Sequence, residues 1–268
     1  MPTQIVFFGS SPFSIVVLKK LLSTEHCGLS AVVTTPDKPA SRHLKLTPNP
    51  VKVFAQKHNL PVFDNIRDFL IKDWPNCVGL VAAYGKLIGP KTLSKLNNRI
   101  FGIHPSLLPK YRGPSPLQQQ ILDGIIETGV TILKIDLGED SGPIMAQGKD
   151  VILPTDTKIS LGERLFSKGI DLFLNNLESI IESKGTPQDN KIASDTRIIT
   201  RQDGFIPWEK FQPEKLDRKL RAFDPWPGVW TLTPDGKRVK LIQLHPLQFL
   251  LENQSRLVSL EQLLSASH

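Results

Sequence analysis

Arg99-Ile100-Phe101-Gly102-Ile103-His104-Pro105-Ser106-Leu107-Leu108-Pro109-Lys110-Tyr111-Arg112-Gly113 joins a short apolar run to a turn bounded by two prolines. Polar Asn97-Asn98 precede it, so Arg99 to Ile103 is predicted as a buried strand. Pro105 and Pro109 end that strand and shape the loop behind it, because each fixes φ and removes a backbone donor. His104 then stands at a strand's carboxyl end. In open α/β sheets ligands sit where strands end, and an imidazole titrates near neutrality, so His104 is a candidate catalytic group. A histidine that merely caps the loop is the competing reading.

Working outward, apolar runs alternate with helical patterns: Ile5–Phe8 then Phe13–Leu22, Leu29–Val33 then Val51–His58, Pro61–Phe63 then Ile66–Ile71, and Cys77–Ala82 then a turn of helix from Pro90 to Leu96. A Leu117–Leu122 helix follows the Arg99–Ile103 strand. This order predicts an α/β fold with a doubly wound, mostly parallel, Rossmann-like sheet. Asn49-Pro50 reads as a helix start, a capping side chain followed by proline at the first helical position. The first strand-to-helix turn, Gly9-Ser10-Ser11-Pro12, lacks the G-x-G-x-x-G glycines, which disfavours a dinucleotide. Strand-like Val130–Ile135 and Ile144–Leu153 come next, then one long amphipathic helix from about Lys158 to Ser183. We expect three parts: a catalytic domain over 1–185, a linker over 186–203 and a short β-rich, OB-like barrel over 204–268. The last contains a helix at Pro213–Ala222 and strands near Val229–Thr233 and Val239–Leu244. Its Trp208, Trp226 and Trp230, beside or near prolines, read as core residues or as stacking platforms for bases.

The 268 residues suffice for a sizeable core, and 40% hydrophobic with 22% charged residues argues against disorder. No apolar run reaches the ~18 residues of a membrane span, and Met1-Pro2-Thr3-Gln4 passes into strand-like sequence without a basic region or cleavage site, so neither a membrane segment nor a signal peptide is expected. Cys27 and Cys77 lie far apart without partner histidines, which fits reduced thiols in a cytoplasmic protein and gives no metal site. The net charge of +7 is uneven. Lys38, Arg42, Lys45, Lys52 and Lys57 fall in a stretch without acids, as do Lys86, Lys91, Lys95, Arg99, Lys110 and Arg112. Two acid-free stretches around one candidate site suggest a polyanion, with nucleic acid the commonest.

Gly138-Glu139-Asp140-Ser141-Gly142 brackets a carboxylate with glycines between two strands. A carboxylate brought beside an imidazole can orient it, support its protonated form or take up a proton itself. An Asx-type turn is the structural alternative for Asp140.

Several stretches together carry a resemblance: Phe8–Phe13, Thr35–Arg42, Pro48–Lys52, Ala82–Gly85, His104–Pro109 with Tyr111–Gly113, Glu127–Ile132, Gly138–Gly142 and Ala222–Pro227. The chain resembles the methionyl-tRNA formyltransferases, within the family of enzymes that use 10-formyltetrahydrofolate, nearly end to end. The resemblance implies formyl transfer from 10-formyltetrahydrofolate, as co-substrate, to the α-amino group of methionyl initiator tRNA, by a monomer. It further implies that His104 polarises or protonates the formyl oxygen and that Asp140 orients His104 and assists proton removal from the amine. Folate would lie along Ser106, Leu107, Leu108 and Pro109 and along Gly85, Lys86, Leu87 and Ile88. Arg42, with Lys38 and Lys45, would meet the tRNA acceptor end.

One departure falls at the centre of the motif: the family's N-x-H is Gly102-Ile103-His104 here. Residues two apart on a strand face the same way, so the missing amide would have pointed with His104 toward the ligand. Loss of one oxyanion donor costs about 3–4 kcal/mol, or roughly 100- to 1000-fold in rate, so the expectation is an impaired enzyme. Ser41 stands where the family often has glycine, and the C-terminal region is short for a full barrel. Alternatives that remain open are a formyltransferase for a small amine such as glycinamide ribonucleotide or an amino sugar, a hydrolase releasing formate, and a non-catalytic homologue that binds folate or tRNA.

Overall fold

The computed structural model describes residues 2–40, 45–207, 210, 212–233, 235–244, 247–251 and 257–259. The chain divides into two compact units, one made of Met1–Pro114, Thr128–Asp150 and Gly162–Asp195, the other of Ser115–Glu127, Val151–Leu161 and Thr196–His268. Thr186–Asp195, expected as the first part of a linker, is thus part of the first unit.

Strands and helices alternate through the first unit: β1 (Thr3–Phe8), α1 (Pro12–Leu22), β2 (Cys27–Val33), the hairpin strands β3 (Lys38–Ala40) and β4 (Lys45–Thr47), α2 (Pro50–Lys57), β5 (Val62–Phe63), α3 (Ile66–Ile71), β6 (Cys77–Ala82), α4 (Pro90–Lys95) and β7 (Ile100–His104). After α5 (Pro116–Asp123) come β8 (Glu127–Lys134), β9 (Ile144–Val151), α6 (Lys158–Asn175) and α7 (Leu177–Glu182). Seven strands form one sheet in the order β5-β2-β1-β6-β7-β8-β9. The pairs β1–β2, β1–β6, β2–β5 and β6–β7 are parallel and β7–β8 is antiparallel. The expected mostly parallel, doubly wound sheet is therefore present.

Alternation along β1 explains why the sheet is covered on both sides. Ile5 and Phe7 pack with Val17 and Leu18 of α1 and with Phe166, Ile170 and Phe173 of α6. Val6 and Phe8 pack the other way, with Phe69 of α3, Leu93 of α4, Leu96 just after it, and Tyr84 and Ile88. A parallel sheet needs this double burial, and each fully buried side chain of this size stabilises the fold by roughly 1.5–3 kcal/mol. The predicted helix start holds: the Asn49 side chain accepts from Val51 N at 2.9 Å and Lys52 N at 3.4 Å, with Pro50 at the first turn. The Asn49 backbone N–H donates to Asp37 Oδ1 at 2.8 Å, and Lys52 reaches Asp37 and Asp64 at 3.2 and 2.8 Å. These bonds tie down the base of the β3–β4 hairpin. The single long helix expected to Ser183 is instead two, because the backbone leaves helical geometry at Asn176 (φ −121°, ψ 16°) before α7 begins.

In the second unit, α8 (Pro213–Phe223) packs against α5 and against β10 (Val229–Leu232) and β11 (Arg238–Leu244). With β12 (Leu247–Leu251) and β13 (Leu257–Ser259) these form a four-stranded antiparallel sheet in chain order. The small antiparallel sheet agrees with the β-rich module expected. Trp230 is a core residue, its indole donating to Arg201 O at 3.0 Å with the Arg238 guanidinium 4.3 Å above the ring. Trp226 is 53% exposed, and Trp208 lies outside the described residues. Among the described residues no helix is long and apolar enough to cross a membrane.

Asp203 organises the entry to this unit. It accepts from Thr200 N at 2.7 Å, from the Thr200 hydroxyl at 2.8 Å and from Arg197 Nη1 at 2.9 Å, and pairs with Arg197 Nη2 as well. The Arg197 guanidinium first, with Thr200, holds its carboxyl far below the usual carboxylate range, against the opposing effect of burial. A carboxyl with a depressed folded-state pKa adds stability that is complete above its unfolded value of about 4 and fades as pH falls below it. Asp203→Ala is expected to destabilise the protein by about 1–3 kcal/mol at pH 7. The deficit should shrink between pH 5 and pH 2.5, and urea midpoints of both proteins across that range measure it.

Candidate active site

Parallel strands put their loops at one edge, and three of those loops meet here. The order of the sheet reverses between β1 and β6, the position at which doubly wound sheets open a crevice. Ser10, after β1, donates through its amide to Ala83 O at 3.2 Å and through its hydroxyl to Tyr84 O at 2.6 Å. Ala82 and Ile103 are partners in the β6–β7 ladder, so the loop after β6 and the loop after β7 begin side by side. His104 is the last residue of β7 and 6% exposed.

Its two ring nitrogens are both engaged. Nε2 lies 2.8 Å from the Tyr111 carbonyl. Nδ1 lies 3.3 Å from Asp140 Oδ2. A carbonyl only accepts, so Nε2 carries its hydrogen, and Nδ1 is the nitrogen through which His104 can exchange a proton with Asp140 or with a ligand. Asp140 Oδ2 also accepts from Gly113 N at 2.8 Å. The two residues singled out from the sequence, some thirty positions apart, are thus brought together on one edge of the sheet.

Backbone conformation makes this meeting possible. Tyr111 (φ +63°) and Asp140 (φ +49°) are both left-handed, and Gly113 (φ +95°) follows Tyr111 within the same turn. Left-handed non-glycine residues cost about 1–3 kcal/mol each and persist where their surroundings fix them. Glycine is required at position 142, where an added Cβ would stand 1.9 Å from the Lys134 carbonyl oxygen.

The loop from Pro105 to Gly113 is tied on several sides. Thr131 Oγ1 donates to Ser106 O at 2.7 Å and accepts from Leu108 N at 3.1 Å. Gln147 donates to Leu108 O and to Thr131 Oγ1, both at 2.9 Å. Ser106 Oγ donates to Lys110 O at 2.7 Å, and Ser194 N to Pro109 O at 3.2 Å. Ser106, Leu108 and Pro109, along which folate was expected to lie, have these backbone groups engaged in holding the loop. Leu107 packs at Gly129, its Cδ2 standing 2.6 Å from where a Cβ there would be. In the second segment, Gly85 (φ +70°), Lys86 and Leu87 are exposed and Ile88 is buried. Thr131, on β8 beside β7, falls within the Glu127–Ile132 stretch of the resemblance, which assigned it no role; Gln147, on β9 one strand further out, carries no motif, and only its place in the sheet reveals it.

Gly102 faces the same side of the sheet as His104, opposite Leu133 on β8. A Cβ there would meet Ile135 Cδ1 at 2.8 Å and Leu133 Cδ2 at 3.0 Å. Apolar side chains occupy the place of the expected amide. Arg42 lies outside the described residues; Lys38 and Lys45 sit near opposite ends of the β3–β4 hairpin, Lys38 paired with Thr47 and Ala40 with Lys45. Cys27 and Cys77 are buried free thiols. Among the described residues no three His, Cys, Asp or Glu side chains gather in a way that could hold a metal ion.

Known proteins similar to this chain identify its family. Residues 3–177 match the family described as formyl transferase, and residues 198–262 match the formyl transferase C-terminal domain. A methionyl-tRNA formyltransferase from Chloroflexus aurantiacus is 40% identical over 236 residues, 85% of this chain and 76% of its own length. The structure of WlaRD, a sugar 3N-formyltransferase solved with dTDP and 5-N-formyl-THF, superposes with a TM-score of 0.65 at 23% identity over 95% of this chain and 88% of that one. HypX from Aquifex aeolicus superposes with a TM-score of 0.63 at 20% identity; 91% of this chain corresponds to 39% of that longer protein. At such identities the structural likeness speaks for the fold alone. The sequence match is of another order, and by its length and identity the chain belongs to the formyl transferase family, among the methionyl-tRNA formyltransferases.

Proposed function

We propose that this protein transfers a formyl group from 10-formyltetrahydrofolate to the α-amino group of methionine carried by initiator tRNA, acting as a monomer in the cytoplasm. The observation that carries the reading is the 3.3 Å approach of Asp140 Oδ2 to His104 Nδ1 at the carboxyl end of β7, in a chain whose relatives bear that activity in their name. The folate supplies an activated one-carbon unit. The chain's own residues manage protons and charge around it.

Attack by an amine leaves one proton too many on nitrogen and negative charge on the formyl oxygen. His104 answers the second need by presenting a proton at Nδ1, while the Tyr111 carbonyl keeps Nε2–H and the ring plane fixed. Asp140 balances the charge of the protonated ring, accepts the proton released by the amine and passes it to the folate nitrogen as the bond from that nitrogen to the formyl carbon breaks, while His104 takes back the oxygen's proton as the carbonyl re-forms. The exposed Gly85-Lys86-Leu87 segment, flanked by buried Tyr84 and Ile88, suits a flat heterocycle with polar edges, and half-buried Leu107 and Pro109 are the residues of the Ser106–Pro109 loop left to meet it. The basic hairpin with Lys38 and Lys45, and Arg42 between them, serves the tRNA acceptor end; phosphate attraction of this kind is sensitive to salt.

Single-turnover formylation of methionyl initiator tRNA tests the reading. His104→Ala and Asp140→Asn are each expected to slow the chemical step by about 100- to 10,000-fold, with folate binding retained. Formylation of an amino-sugar nucleotide, with no formyl-methionyl-tRNA produced, would replace this reading with that of a small-amine transferase.

The glycine at position 102 gives a second expectation. Because Ile135 and Leu133 fill the space above Gly102, Gly102→Asn alone should recover little. The double variant Gly102→Asn/Ile135→Ala should be faster, by up to the order of 100-fold that one oxyanion donor supplies. Equal rates for wild type, single and double variants would remove the oxyanion argument.

A further inference from the structure

Asp140 keeps a left-handed backbone (φ +49°) in a turn whose residues 136–139 are exposed, so something outside the turn must hold it. Gln188 is in position to do so. Its Nε2 donates to Asp140 O at 2.8 Å and to Gly142 O at 2.7 Å, closing a bridge across the residue that separates them. Its Oε1 accepts from Arg112 Nε at 3.0 Å and Nη2 at 2.8 Å, and Arg112 Nη2 also reaches Asn190 Oδ1 at 2.9 Å. Arg112 lies between Tyr111, which holds His104 Nε2, and Gly113, which holds Asp140 Oδ2.

One amide side chain therefore joins the two backbone segments that present the imidazole and the carboxylate. Its donor end fixes one and its acceptor end fixes the other. The register that brings it there is set two residues earlier, where Thr186 and Ile144 exchange a pair of 2.8 Å backbone bonds. Further along, Ser194 Oγ accepts from Tyr111 N at 2.9 Å and Ser194 O from Arg112 N at 2.8 Å. The segment from 186 to 195 thus lies across the catalytic loop as a strap.

We propose that Gln188 is a positioning residue for the reaction, setting the approach of Asp140 to His104 through its bridge to the Asp140 and Gly142 carbonyls. The inference rests on the transferase reading above and adds a part to it. The direction of each hydrogen bond makes the role separable from simple tethering. In Gln188→Glu the carboxylate still accepts from Arg112, more strongly than the amide did, but faces the two carbonyls with an acceptor. In Gln188→Ala both ends are lost.

The experiment compares wild type, Gln188→Glu, Gln188→Ala and Asp140→Asn with and without Gln188→Ala. It measures steady-state kcat and KM for formyl transfer, and hydrogen exchange of the Gly113 amide in the protein without substrates. Misplacing a reacting group by about 1 Å can cost on the order of 100-fold. The expected result is that both Gln188 variants lose roughly 10- to 100-fold in kcat with KM values changed less than about 3-fold, that the Gly113 amide exchanges faster in both, and that Gln188→Ala adds no further loss in the Asp140→Asn background. Wild-type kcat in Gln188→Glu would overturn the proposal, as would independent losses from the two sites. If the wild type itself transfers no formyl group to methionyl-tRNA, the function proposed above fails, and the Gly113 amide decides the positioning role by itself: faster exchange in both variants upholds it, unchanged exchange refutes it. Should Gln188→Ala fail to fold, Gln188→Glu, which keeps the Arg112 contact, gives the same decision.

Discussion

A buried imidazole is useful only if both of its nitrogens are told what to do, and here a carbonyl and a carboxylate do so from two separate turns. Tyr111 O at 2.8 Å settles Nε2, and Asp140 Oδ2 at 3.3 Å takes Nδ1. Neither turn would hold its shape alone, since each has a non-glycine residue at positive φ. The parallel sheet supplies the common floor: β7 ends at His104, and β8, beside it, sends Thr131 under the loop. Sheet burial on both faces is therefore a functional requirement as well as a source of stability, because a floor that shifts would separate the two turns.

The same logic explains how polar groups are used around the site. Ser106, Leu108, Lys110 and Tyr111 each give a backbone or hydroxyl group to an internal bond, and buried backbone polar groups are costly when left unmet. A loop satisfied in this way is rigid before any ligand arrives. Rigidity of that kind favours the transition state, since the geometry needs no reorganisation at the moment of reaction.

Much of the frame was legible in the sequence because its signals are local. Pro105 and Pro109 marked the end of a strand, Asn49-Pro50 the start of a helix, and Gly138 to Gly142 a sharp turn carrying a carboxylate. What escaped reading depends on distant partners. The β3–β4 hairpin is built from three-residue strands, one of them containing proline, which resemble loop until they pair, and β12 and β13 are likewise short segments that register as strands only through their partners. Asn176 interrupts an amphipathic pattern whose periodicity continues across it. Gln188 sits in Gly185-Thr186-Pro187-Gln188-Asp189-Asn190, a composition that reads as linker; only the backbone exchange with Ile144 turns it back onto the catalytic turns.

Gly102 shows most clearly where sequence pattern and packing part company. Taken as a motif position, it is a missing donor that one substitution would restore. In the folded chain the absence has been filled: Ile135 and Leu133 stand where the side chain would go, and Ile135 packs against the cluster that includes Tyr84 and Ile88. The surface beside His104 is thereby apolar where the motif would make it polar. In such a place an imidazole meets less competition from water for the developing charge, and its interaction with that charge is strengthened by the lower local dielectric. An asparagine inserted without room would have to displace packed carbon while satisfying its own amide, so the two positions act as one unit in which donor and filler are exchanged together.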